Sequence, residues 1–233
     1  MHAAPRIPLL VLEIAFVLCW SSGYVTAEFA LAGSAPFTVL FVRYIAAAGL
    51  LLGWIALRRQ RVPRDLRLLG RIAISGILSN AVWPAALYIA LYLGVTSGTG
   101  ALLTSLQPMG TALLGLALFG RRLAIRQAIG LGLGLVGVYL VVAEDVALLS
   151  APPWAYALPI VSVTAIAWSY VLEERGPHDP AERKPLAVLL LVQFAASAVV
   201  LTPFAVAEGF PLDPDPVVLL AFGWQIVGLS IAS

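Results

Sequence analysis

Of 233 residues, 61% are hydrophobic and only 11% charged, against about 25% charged in ordinary soluble domains. That balance excludes a water-solvated globular domain, and a net charge of +2 leaves no basic footprint for nucleic acid. A single cysteine, Cys19, excludes an intramolecular disulfide and a cysteine metal cluster.

In chain order, eight apolar runs lie near residues 7–27, 37–57, 72–93, 98–119, 127–143, 154–172, 186–206 and 217–233. Each is about the 17 to 25 residues that cross a hydrocarbon core as a helix. The expected fold is therefore all-α, a polytopic bundle of transmembrane helices. The first run resembles a signal peptide ending at Val25-Thr26-Ala27, but Glu13 and Trp20 interrupt its apolar core, and we read it as a retained span. The second carries one charge, Arg43. The third and fourth hold Pro84 and Pro108, expected to kink the helix and free the carbonyls of Asn80 and Thr104. Such a freed carbonyl is satisfied by neighbouring helices or lines a polar pathway. The fifth contains "GLGLVG", Gly132–Gly137, which matches the dinucleotide fingerprint in letters but lies mid-membrane, without the strand and polar pocket that the chemistry needs. No cofactor follows from it. Gly130 with Gly134, and Gly49 with Gly53, are expected instead to form close helix-packing faces. His178, among Glu174, Asp179 and Glu182, is read as a solvated turn rather than a metal site.

The basic residues set the orientation. Thirteen of the 14 precede the first run or fall between runs two and three, four and five, or six and seven. The opposite side carries Glu28, Glu144, Asp145, Glu208, Asp213 and Asp215. By the positive-inside rule, the arginine-rich side and the N-terminus are cytoplasmic, and the protein is expected in the cytoplasmic membrane.

An internal echo accompanies this alternation. "CWSSGYV" at 19–25 is answered by "AWSYV" at 167–171, and "PFTVLFVRYIAAAG" at 36–49 by "PLAVLLLVQFAASA" at 185–198. Five helices per unit would make the two units inverted in the membrane, as in many secondary transporters. The units would be residues 1–145, with five helices, and 146–233, with three.

The segments "FVLCWSSGYVTAEFALAGSAPFTVLFVRYIAAAGLLL" and "GVTSGTGALLTSLQPMGTALLGLALFGRRLAIRQAIGLGLGLVGVYLVV" resemble the N-terminal half of EamA-type carriers of the drug/metabolite transporter superfamily. The resemblance is strongest at Trp20-Ser21, at Arg43-Tyr44 and at Leu106-Gln107-Pro108. It implies ten helices in two inverted repeats around a central cavity for small metabolites. The chain departs from the pattern at Gly120-Arg121-Arg122-Leu123, where the family usually has Gly-Glu-Arg-Leu. It also ends at Ser233 inside an apolar run, so helices nine and ten of that scheme are missing and the second repeat is read as truncated.

Depth along each helix assembles candidate site residues. At about 1.5 Å per residue, Trp20 and Arg43 both lie roughly 20 Å above the cytoplasmic edge. Asn80, Trp83, Gln107 and Gln225 fall in a layer roughly 12 to 18 Å up, and Tyr24 shares a face with Trp20. This polar and aromatic layer is a candidate substrate pathway; the competing reading is interhelical glue. Arg43 is expected to face the bundle beside Trp20 in a cation-π contact, favouring an anionic or amphipathic small-molecule substrate; an arginine bonded to free carbonyls is the alternative. Glu13, roughly 12 Å lower, is a candidate for proton or ion coupling, against a carboxylate that simply reaches the headgroups or one that is protonated and structural. The sequence thus reads as a secondary transporter rather than an enzyme, with an integral-membrane enzyme or a non-transporting structural subunit as alternatives.

Overall fold

The computed structural model describes residues 9–60, 63–119, 124–147, 151–174 and 185–230. Gly120–Leu123 lie outside them, as do His178, Asp179 and Glu182 of the His178 cluster, whose Glu174 ends the eighth helix given below. The helices are α1 (Leu9–Ala32), α2 (Pro36–Leu57), α3 (Leu66–Gly76), α4 (Trp83–Tyr92), α5 (Ser97–Thr104) and α6 (Gln107–Phe119), followed by α7 (Ile125–Ala147), α8 (Leu158–Glu174), α9 (Leu186–Glu208) and α10 (Pro216–Val227). A π-helical turn, Ile77–Val82, joins α3 to α4, and a 3-10 turn, Pro153–Ala157, leads into α8. Among the described residues seven continuous helical stretches are long and apolar enough to cross a membrane, and α10 is a shorter apolar eighth. The chain is an all-α polytopic bundle.

Several helices outrun their apolar cores. α1 continues to Ala32, so Glu28 sits in its last turns and not in a loop. α7 continues to Ala147 and takes in Glu144 and Asp145; Asp145 is buried and accepts a hydrogen bond from the Tyr156 hydroxyl at 3.3 Å. The third span begins at Leu66, where the Asp65 carboxylate caps the amides of Arg67 and Leu68. Helical hydrogen bonding continues past the point where hydropathy falls, because an acidic side chain near an end either lies exposed, as Glu28 and Glu144 do, or finds a polar partner, as Asp145 does.

The two mid-span prolines are accommodated without simple kinks. Before Pro84 the chain winds into the π turn, closed by the Trp83 amide on the Leu78 carbonyl. Before Pro108 the helix stops at Ser105-Leu106 and restarts at Gln107, so the proline falls in a first turn, where its missing amide costs nothing.

Packing is organised around α2 and α9, antiparallel along their length. Val39, Leu40, Tyr44 and Ala47 meet Phe194, Ala198 and Leu201, with Tyr44 stacked on Phe194 at 5.3 Å and Phe37 on Phe204 at 4.9 Å. These are the segments that echo one another in sequence. α10 lies along α1, while α8 lies against α3, the π turn, α4 and α6. Close approach occurs where a side chain is lacking. A Cβ on Gly76 would stand 2.5 Å from the Gln193 Cα, and one on Gly110 2.7 Å from Val163 Cγ1. The glycine faces expected from spacing are not used this way: Gly49, Gly53, Gly130 and Gly134 have nothing within 4 Å of an added Cβ. Small-residue spacing marks where helices can approach, and neighbours decide where they do.

Polar ties fix the two ends. On the acid-bearing side Glu208, ending α9, accepts from the Phe37 amide (3.1 Å), the Thr38 amide (2.7 Å) and the Thr38 hydroxyl (2.8 Å), all at the start of α2. Beside it Ser34 donates to the Pro211 carbonyl at 2.6 Å and Asp213 N donates to the Gly33 carbonyl at 2.8 Å. On the arginine-rich side, Ser75 bonds Ser169 and Glu173 at 2.9 and 2.7 Å, and Gln193 also donates to Glu173.

Candidate functional site

A half-open cleft with about 440 Å³ of free space, open solvent at its mouth included, lies within the bundle. α1 brings Trp20, Gly23 and Tyr24 to it, α2 brings Arg43, α4 brings Trp83, Pro84, Leu87 and Tyr88, and the turn after α10 brings Leu229. Four of the expected residues, Trp20, Arg43 and Trp83 from depth and Tyr24 from its shared face with Trp20, line one cleft.

Their contacts differ from expectation in one respect. The Arg43 guanidinium lies 5.3 Å from the centre of its neighbour Tyr44, whereas Trp20 stacks on Trp83 (5.8 Å, 20° between planes) and on Phe16 (5.8 Å). The cation-π partner is thus Tyr44 and not Trp20. Trp20 is held by another indole, for which an offset stack is a favourable arrangement. Arg43 Nε donates to Ser230 Oγ at 2.8 Å, and Ser230 donates onward to the Gln225 carbonyl at 3.0 Å. A hydroxyl, and not a freed backbone carbonyl, is its partner. The half-buried guanidinium also faces the Tyr88 hydroxyl across the cleft.

Gln225 belongs to the wall behind the cleft. It is fully buried, its Oε1 accepts from the Tyr88 hydroxyl at 2.8 Å, and its Nε2 has no partner among the described residues. Tyr24 shares a 2.7 Å hydrogen bond with Thr104 of α5. The backbone beneath Trp83 is pinned from α8, where the fully buried Ser162 donates to the Trp83 carbonyl at 2.7 Å. Irregular backbone at membrane depth needs such partners, and Ser197 of α9 supplies another by donating to the Gly76 carbonyl at 3.0 Å.

Three expected residues stand elsewhere. Asn80 lies in the π turn and donates to Ser79 Oγ at 3.0 Å. Gln107 donates to the Tyr170 hydroxyl at 2.9 Å, at the α6–α8 contact. Glu13 is on an exposed face of α1 and does not line the cleft. Tyr88, Leu87 and Ser230 were missed by sequence reasoning. A signal existed for the first two, since they follow Trp83 by five and four residues, about one helical turn. Ser230 follows the end of α10 and had none.

Among the described residues no cluster of His, Cys, Asp and Glu is placed to hold a metal. Chemically, the cleft offers one guanidinium, two tyrosine hydroxyls and an indole pair on an apolar ground. That suits holding a small molecule with an acceptor group and an apolar part.

Comparison with known proteins agrees with this architecture. The chain is 28% identical over 170 residues to the uncharacterized inner membrane transporter YedA of Escherichia coli K12, covering 73% of this chain and 54% of that protein. It is 30% identical over 135 residues to a probable amino-acid metabolite efflux pump of the same organism, covering 58% of this chain and 42% of that protein. The chain spans about half the length of the curated relatives it matches. Residues 7–143 match the EamA-like transporter family, and this multi-pass membrane protein belongs to it.

Proposed function

We propose that the chain forms a substrate-holding part of a secondary transporter that moves a small carboxylate-bearing metabolite by alternating access. The observation that carries this is the Arg43 guanidinium, half-buried in a cleft beside two tyrosine hydroxyls, on a span where counting residues puts it within the hydrocarbon core. A charge there is costly in lipid and is found where a cavity or partner uses it. The amino-acid metabolite efflux pump among its relatives makes an amino-acid-like substrate the first to test.

Residues 1–145 and 146–233 form, on this reading, two inverted repeats, the second represented by three spans. The packing supports it. Exchanging span one with six, two with seven and three with eight turns the α1–α10 pair into the α8–α3/α4 pair and leaves α2–α9 unchanged. The N-terminus is cytoplasmic, since Arg58, Arg59, Arg64, Arg67, Arg71 and Arg126 border one side, while Glu208, Asp213 and Asp215 border the other.

The test is a titration of tryptophan fluorescence with amino acids and their decarboxylated amines, on the purified chain and on Arg43→Lys and Arg43→Gln. Trp20 and Trp83 line the cleft and report on it. Carboxylates should quench in the native chain, more weakly in the Lys variant, which keeps charge but loses the planar fork, and not in the Gln variant. Equal quenching by acids and amines, or full quenching in the Gln variant, would refute the carboxylate reading.

A further inference from the structure

The helices around the cleft fall into two groups that meet along a seam. α10 packs on α1; α8 gathers α3, α4, α5 and α6. Within the second group contact is backbone-close, at Gly110 against Val163 and in the Ser162 bond to the Trp83 carbonyl. Across the seam, three aromatic side-chain contacts meet around the cleft: the Trp20–Trp83 stack, Tyr24 with Thr104, and Tyr88 with Gln225.

These three contacts are not at one height. α1 and α4 both run towards the acid-bearing side, where the α1–α2 turn is tied to the segment after α9. Tyr24 lies four residues beyond Trp20, and Tyr88 five beyond Trp83, so the tyrosines stand about 6 to 7.5 Å nearer that side than the indoles. Both hydroxyl bonds therefore cross the seam between the indole pair and the acid-bearing face.

One of the two bonds is built to break. Gln225 is fully buried, and while its Oε1 holds the Tyr88 hydroxyl its Nε2 has no acceptor among the described residues. A buried donor left unpaired offsets much of what a single hydrogen bond contributes. The contact is closed without being locked.

We propose that Tyr24 and Tyr88 are the gate of the cleft on its acid-bearing side, closed in this structure by Thr104 and Gln225. Separation of the α1–α10 pair from α4 and α5 breaks both bonds and opens the cleft to that side, while α2 and α9 stay together. The proposal rests on the cleft being the substrate site.

The test needs no substrate, so its failure and the failure of the carboxylate reading are separable. In a Cys19→Ala chain, a Leu87→Cys reporter in the cleft is labelled with a membrane-impermeant charged methanethiosulfonate in vesicles of both orientations. Gln60→Cys and Ala147→Cys mark the two faces. Tyr24→Phe with Tyr88→Phe should raise the labelling rate from the Ala147 face by about ten- to thirtyfold, the worth of two ordinary hydrogen bonds, and lower it from the Gln60 face. Thr104→Val with Gln225→Met removes the same bonds from their other partners and should do likewise. An unchanged rate from the Ala147 face, or an equal rise from both faces, overturns the gate. So does failure of both pairs to reach the membrane, because gating contacts must be dispensable for folding.

Discussion

Removing the Glu208 carboxylate tests how the α2–α9 unit is held. In Glu208→Ala three donors at the start of α2 lose their acceptor: the Phe37 amide, the Thr38 amide and the Thr38 hydroxyl. Thr38 is 1% exposed, so water cannot take the carboxylate's place there without opening the helix pair. Hydrogen bonds to a charged group contribute roughly 1.5 to 3 kcal/mol each, and a carboxylate at a helix N-terminus about 0.3 to 1 kcal/mol more. Three bonds sharing two oxygens are not additive, and Glu208 is half-buried, which leaves a net loss of about 2 to 4 kcal/mol. Glu208→Gln keeps one acceptor oxygen but turns an amide donor towards backbone amides, for a loss of about 1 to 3 kcal/mol. Thr38→Val removes only the hydroxyl bond and should cost least. The assay is reversible unfolding in mixed micelles, followed by circular dichroism, with all three variants against the native chain. The order Ala, Gln, Val in decreasing loss is expected. A Glu208→Ala chain within about 0.5 kcal/mol of native, the range of ordinary surface substitutions, would show that the tie contributes nothing.

Glycine substitutions separate close packing from mere spacing. Gly76→Ala places a methyl 2.5 Å from the Gln193 backbone and should lose several kcal/mol, whereas Gly134→Ala meets open space and should be neutral or stabilise through helix propensity, by at most about 1 kcal/mol; thermal unfolding of the two variants reads the contrast. For orientation, cysteines at Gln60 and Ala147 in the Cys19→Ala chain should be labelled in intact cells only from the cytoplasm and only from outside, respectively. Labelling in the reverse pattern would invert the topology.

The spans were legible because hydrocarbon thickness imposes a length on any apolar helix, and length is read directly along the chain. Their ends were less so: Glu28, Glu144 and Asp145 looked like loop residues but lie in helix, since an acidic side chain near an end does not stop backbone hydrogen bonding. Depth counting singled out Trp20, Arg43 and Trp83, which line one cleft together with Tyr24, chosen for the face it shares with Trp20. It could not supply azimuth. Asn80 and Gln107 fall in the same layer yet point to Ser79 and Tyr170, because height along a helix says nothing of the direction a side chain faces. The partner of Arg43 was hidden for a related reason, since Ser230 lies beyond the end of α10 and its position depends on how that end turns.

The π turn at Ile77–Val82 changes what a difference in length means for this protein. Each residue in an α-helix turns the chain by about 100°, and a π turn holds one residue more than an α turn over the same rise. Winding one residue in or out of this segment would therefore act less as a lengthening of the span than as a rotation of all that follows it. Trp83, Leu87 and Tyr88 lie immediately downstream. An indel of one residue here would re-aim one wall of the cleft while keeping every side chain on that wall, so that the cleft's chemistry could be rephased without being rewritten.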